Sequence, residues 1–151
     1  DFMKHQVENK MELRKFVLQI LEEKIEKLAR FIDFTVEASK DIKKTPKYDS
    51  IREEAQDEIY QLDKQMFELK SKYKSMSRVI NATSETIQIG SVVITNKARF
   101  YISVSLGEFF YEGDRFYAIS PESPIAKKMI GLRMGDEFVL NSIHQKIKEV
   151  L

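Results

Sequence analysis

Cysteine is absent from all 151 residues, which excludes a disulfide framework, a thiolate metal site and a cysteine nucleophile. Histidine is nearly absent too. His5 and His144 lie far apart and lack the spacing of imidazole metal ligands. No apolar run approaches the roughly 18–20 residues of a membrane span, and no signal-peptide pattern opens the chain. A cytoplasmic protein without a membrane partner is expected. Ser120, Ser123 and Ser142 sit in no nucleophile elbow, and no glycine-rich phosphate loop occurs. The sequence therefore does not describe a self-contained enzyme, and it implies no cofactor of its own.

An excess of one charge is also missing: 25 Lys/Arg stand against 24 Asp/Glu. The density is uneven, with 17 basic and 16 acidic residues in positions 1–80 and only 8 of each in positions 81–151. Dense but balanced charge suits the exposed faces of helices, and the second part has ordinary globular composition. Neither part has the positive excess of a general nucleic-acid binder, so sequence-specific DNA recognition is not expected.

Glycine and proline are absent between Asp1 and Thr45, so nothing interrupts a helix from about Lys4 to about Ile42. Met11, Leu18, Leu21, Ile25, Leu28, Ile32 and Thr35 recur at three-four spacing, interrupted by Arg14 and widened by Val17, Ile20, Phe31 and Phe34. A second seam is more regular: Ala55, Ile59, Leu62, Met66, Leu69, Tyr73, Met76 and Ile80 alternate steps of four and three. Between the two lies Thr45-Pro46. Threonine can cap the orphan N–H groups of a helix start, and proline is pre-set for its first position. Proline also drives the residue before it out of the helical region, so the first helix must stop ahead of it. Residues 1–80 are read as an antiparallel coiled-coil hairpin, each arm roughly 50 Å long at 1.5 Å per residue. The simplest state is a monomer; the alternative is a structural oligomer whose seams pair between chains.

Residues 81–151 read as a compact α+β domain of mostly antiparallel strands with one short helix. Ile87–Thr95, Arg99–Leu106, Arg115–Ile119, Glu137–Leu140 and a last segment through Ile143, Ile147 and Val150 have strand character. Turns are expected at Asn96-Lys97, Gly107, Gly113-Asp114 and Gly135-Asp136. Ser123-Pro124 opens the short helix and Gly131 closes it. Phe109, Phe110, Tyr111, Phe116 and Tyr117 gather around a glycine turn, suited to core and hairpin packing or to a binding face.

These motifs, in this order, resemble the bacterial Gre transcript-cleavage factors. The family's framework is an I-S-x-x-S-P step, a short helix and a G-x-x-x-G-D turn. Here these are Ile119-Ser120, Ser123-Pro124, Gly131 and Gly135-Asp136. Gly90-Ser91-Val92-Val93 is similar to the family's G-S-x-V entry to a strand, and DIKKTPKYDSIREEAQ resembles its D-L-K-E-N-A-E-Y tip. The resemblance implies a coiled-coil hairpin followed by an FKBP-like domain. It further implies docking at the secondary channel of RNA polymerase, with the tip near the nascent RNA. Polymerase contacts would come from Lys43, Lys44 and Tyr48, and from Ser123, Pro124, Gly135 and Asp136. In the family, two tip acids help hold a magnesium ion of the polymerase active site, and carboxylates are the natural hard ligands for it.

At that point this sequence departs from the family pattern. The first tip acid is Asp41, but the second, three residues on, falls on Lys44. Asp49 or Glu53 could supply the missing carboxylate, or they could simply complement the dipole of the second helix. Two outcomes follow from the resemblance: stimulated transcript cleavage through Asp41, or modulation of the polymerase without a donated ligand. An FKBP-like isomerase or chaperone with a helical arm is the remaining alternative.

Overall fold

A computed structural model describes the backbone of residues 2–151 and side chains from Glu8 onward, so the side chain of His5 lies outside the described residues. The expected architecture is present: a helical hairpin, then a six-stranded sheet with one short helix. The hairpin helices are α1 (Phe2–Ser39) and α2 (Asp49–Ser75). The strands are β1 (Val92–Thr95), β2 (Arg99–Ile102), β3 (Gly107–Tyr111), β4 (Asp114–Ile119), β5 (Glu137–Leu140) and β6 (Ile143–Val150), with α3 (Pro124–Met129) between β4 and β5. Among the described residues no helix is long and apolar enough to cross a membrane.

Packing divides the chain into two compact units. One holds residues 19–74, and the other joins residues 1–18 to residues 75–151. The sheet of the second unit runs β3-β4-β2-β1-β6-β5. Four of its pairings are antiparallel, and β2 with β4 is parallel because β3 returns along the outer edge. β3 occupies a stretch where the sequence suggests only a turn at Gly107 and an aromatic cluster. Its continuous Glu-Phe-Phe-Tyr run carries no alternation to mark a strand, and pairing with β4 supplies what the pattern lacks. The β3–β4 and β5–β6 hairpins close through two residues of positive φ, Glu112-Gly113 and Asn141-Ser142, the geometry that matches the twist of paired strands.

Alternation along the strands gives the sheet two apolar faces. Val93, Phe100, Ile102, Phe138 and Ile147 form one core with Ile87 and Met129 of α3. α3 is held as expected: the Ser123 hydroxyl accepts the Ala126 N–H at 3.3 Å, and Gly131, at φ +91°, ends it. On the other face Phe109 stacks on Phe116 at 5.5 Å, and Phe16 packs on Tyr111 and Phe109 at 5.0 and 6.2 Å. The aromatic cluster is thus packing rather than an open binding face. Tyr117 lies on the first face, packed on Phe100 at 6.0 Å, and Phe110 is 55% exposed beside the Arg115 guanidinium.

Between residues 10 and 17, α1 buries Lys10, Leu13 and Val17, whereas Met11 is 41% exposed. The stripe read from Met11 is therefore rotated here. This segment faces a sheet, and the three-four pattern alone does not say which of two adjacent stripes does so. Lys10 is buried because its ammonium donates to the carbonyls of Ala82 and Leu151, at 3.0 and 3.2 Å. Arg14 likewise donates to the Met76 carbonyl at 2.9 Å, which explains the polar interruption in the first stripe. The second seam stops short of its predicted end. α2 finishes at Ser75, Met76 is buried in a 3₁₀ turn (Met76–Arg78), and Ile80 is 43% exposed beyond it.

Gly90 shows why one glycine cannot be replaced. At φ +92°, a Cβ there would lie 2.4 Å from the Ile80 carbonyl oxygen. Gly107, at φ +85°, has open space around it. Gly90→Ala is expected to destabilise by more than about 2 kcal/mol and Gly107→Ala by about 1 kcal/mol, compared by urea unfolding. Lys10 generates a pH dependence. Burial lowers its pKa from 10.5 to about 8, so between these values the unfolded chain binds more protons than the folded one. Stability through this group therefore rises from about pH 8 toward 10.5 and is flat below. Lys10→Met should remove that slope in denaturant titrations at pH 7 and 9.5.

Candidate functional site

The tip between α1 and α2 forms because α1 runs out of helical partners before Thr45-Pro46. Its end is tightened by three-residue bonds from the N–H groups of Lys40, Asp41 and Ile42 to the carbonyls of Glu37, Ala38 and Ser39. Thr45 is extended, at φ −117° and ψ 156°, and Pro46 opens a 3₁₀ turn (Pro46–Tyr48) that leads into α2. The proline acts as expected. The Thr45 hydroxyl, however, makes no capping bond; the Thr45 carbonyl instead accepts the Tyr48 N–H at 2.9 Å.

Arg52 organises this loop, and sequence reasoning missed it. Its guanidinium donates to the carbonyls of Lys43 and Thr45, at 2.7 and 3.1 Å, and pairs with the Asp49 carboxylate. The available signal was an arginine one turn into α2, close enough to reach back over the loop, with an acid three residues before it. Five donors in a fixed fork let one side chain hold two carbonyls of the loop and an acid together.

The charged groups then fall into place. Asp41 is exposed in the turn after α1, and Lys43 and Lys44 are exposed in the loop. The ammonium groups of Lys43 and Lys47 stand 6.0 and 5.7 Å from the Tyr48 ring. Lys40 is paired with Glu37 at 2.8 Å, and this contact raises its pKa. Lys44, Lys40 and Arg52 border a cavity of about 210 Å³ with Ser39, Ile42, Ala55 and Gln56. Glu53 is exposed in the first turns of α2.

As a magnesium site these residues do not fit on their own. Asp49 is engaged by Arg52, and Lys44 stands where a second acid would be needed. Among the described residues no three His, Cys, Asp or Glu side chains converge as a metal site. The tip is instead a basic surface around a tyrosine, with Asp41 and Glu53 exposed at its margins.

The framework residues perform folding tasks. Ser123 caps α3, and its hydroxyl donates to the Ser120 carbonyl at 2.8 Å. Pro124 takes the first helical position. Gly135, at φ +94°, donates to the Ile147 carbonyl at 2.8 Å, and the Asp136 carboxylate accepts the Arg133 N–H at 2.8 Å. The cleft that includes Phe110 and Tyr117 is otherwise bordered by Lys97, Arg99, Asp114 and Arg115. It is not the apolar, aromatic-lined pocket that a prolyl isomerase needs.

No family model matches this chain, and no curated protein does. Among solved structures, it is similar to the crystal structure of GreA factor homolog 1 (Gfh1) of Thermus thermophilus. That similarity has 22% identity over 96% of this chain and 94% of the other, with a TM-score of 0.35.

If Arg52 holds the loop, Arg52→Ala should accelerate amide hydrogen exchange across residues 43–48 by more than about tenfold. Global unfolding should shift by less than about 1 kcal/mol, because the pair is exposed. Unchanged exchange would show that the loop is held by other contacts.

Proposed function

We propose that the chain is a Gre-like transcription elongation factor. It binds RNA polymerase at the secondary channel and acts on paused or backtracked complexes through the hairpin tip. In this reading residues 81–151 dock at the channel rim, residues 1–80 carry the hairpin, and the protein works in the cytoplasm. The observation that carries the reading is sequence order: the S-P to G-D framework follows a hairpin whose tip keeps Asp41 and Tyr48. The protein is then an accessory factor, with any catalysis belonging to the polymerase.

Of the two modes of action, the tip geometry favours modulation without a donated metal ligand. A carboxylate pair could bind a divalent cation, but Lys44 repels one, and the Arg52 guanidinium neutralises Asp49. Lys43, Lys44 and Lys47 present positive charge that suits phosphate oxygens. Asp41 stays in the reading as the acid that could face a polymerase-bound magnesium ion, with Glu53 as its weaker substitute.

Purified RNA polymerase should retain the full chain in a pull-down, and deletion of residues 19–74 should weaken but not abolish retention while removing any effect on the polymerase. In a stalled, backtracked complex the wild type should bind yet leave transcript cleavage at its basal rate, whereas Lys44→Glu should raise it. Stimulation by the wild type that Asp41→Asn abolishes would establish the cleaving mode instead. Failure to bind polymerase would remove the reading altogether.

A further inference from the structure

Within the unit of residues 19–74, α1 and α2 leave an open groove of about 750 Å³. Its floor is Leu28, Phe31 and Leu69, and its rims carry Lys24, Lys27 and Lys72, with Glu68 as the one acid. Arg30, also at the edge, is already paired with Glu26 at 2.9 Å. Among the described residues none of the three lysines has an ion-pair partner.

Toward the tip the α2 rim carries the opposite charge. On α1 the three-four steps from Lys24 and Lys27 lead to Phe31 and Phe34, which are 47% and 70% exposed. On α2 the steps from Lys72 and Glu68 run back through Gln65 and Gln61 to Glu58 and Glu54, both exposed and without an ion-pair partner among the described residues. The Tyr73 hydroxyl meets the Glu22 carboxylate at 2.9 Å, which sets the register of the two helices. In that register Glu54 and Glu58 lie beside the last turn of α1, about 12 residues or ~18 Å from the lysines. Phe31 and Phe34 sit midway between the acidic and basic ends.

We infer that this face binds a second copy of the same chain, as an antiparallel, two-fold pairing of hairpins. A two-fold axis between Phe31 and Phe34 stacks these rings against their copies. It also brings the lysine end of each hairpin onto the Glu54–Glu58 end of the other. Both charge contacts form at once, as an isologous interface requires. A partner with a uniformly acidic helix would satisfy the lysines but would leave the two glutamates facing like charge. Self-complementarity is what selects the second copy. The contact uses the outer stripe of each helix and leaves the seam inside each hairpin intact, unlike an oligomer built by pairing seams between chains. It is small and charge-dependent, so it belongs to the weak, concentration-dependent class. The inference does not rest on the proposed function.

Sedimentation equilibrium of the full chain over a wide concentration range tests it, with circular dichroism as the folding control. The wild type should pass from 17.7 kDa toward twice that mass, and added salt should push it back. Phe34→Ser should weaken association by at least about tenfold. Two charge reversals give the decisive experiment: Lys24→Glu with Lys27→Glu, and Glu54→Lys with Glu58→Lys. Each folded variant alone should stay monomeric, because both ends of its hairpin then carry the same sign. Mixed together they should form a heterodimer, and the fourfold variant should dimerise with itself. A wild type that stays monomeric throughout overturns the inference, as does dimerisation of either reversed variant alone.

Discussion

The bond from the Arg14 guanidinium to the Met76 carbonyl joins residues 62 positions apart, and much else depends on it. It ties α1 to the point where α2 has just ended, closing the whole hairpin into one loop of chain. Lys10 repeats the tie a turn earlier through the Ala82 carbonyl. Closing so long a loop has an entropic cost that grows only slowly with its length. Fixed donors against buried carbonyls also give a direction that apolar contact alone does not. The Met76 carbonyl belongs to a 3₁₀ turn and the Ala82 carbonyl to the loop beyond it, and a buried acceptor left without a donor would cost more than a lost hydrogen bond returns. The buried lysine follows from that demand: its charge is costly, and the two carbonyls it reaches are what retain it.

The same logic governs the tip, where one arginine replaces a network. Arg52 holds the backbone of the loop and neutralises the nearest acid of α2, leaving Lys43, Lys44 and Asp41 exposed. A loop with four lysines in eight residues would otherwise be expanded by their repulsion. Holding its carbonyls keeps it compact while the ammonium groups of Lys43, Lys44 and Lys47 stay available to meet a partner's anions. Local architecture and proposed action thus converge on a basic tip rather than a metal-binding one.

Much of the architecture was legible beforehand because it depends on local chemistry. Proline at position 46, the Ser123-Pro124 start, the Gly131 stop and the regular seam from Ala55 to Leu69 each act through neighbours a few residues away. The elements that were misread depend on distant partners. β3 exists because β4 pairs with it, Met11 is exposed because the adjacent stripe of α1 meets the sheet, and the second seam ends early because Met76 is claimed by the other unit. In the candidate site the identities of Asp41, Lys43, Lys44 and Tyr48 were visible, but Arg52 was not, since its role is to bind backbone carbonyls that carry no sequence signature.

By itself, then, the sequence determined the hairpin, the α+β character of residues 81–151, the place of the turn and the charge of its tip. These are set by periodicity, by the fixed φ of proline and by residue composition, all properties of short segments. Only the tertiary structure decided which helical stripe is buried, that one strand pair is parallel, that Asp49 is already engaged, and that basic and acidic patches share one hairpin face around Phe31 and Phe34. Each of these depends on which groups meet in space. Such meetings are set by burial and by the need to satisfy carbonyls and charges, for which the order of residues along the chain gives only candidates.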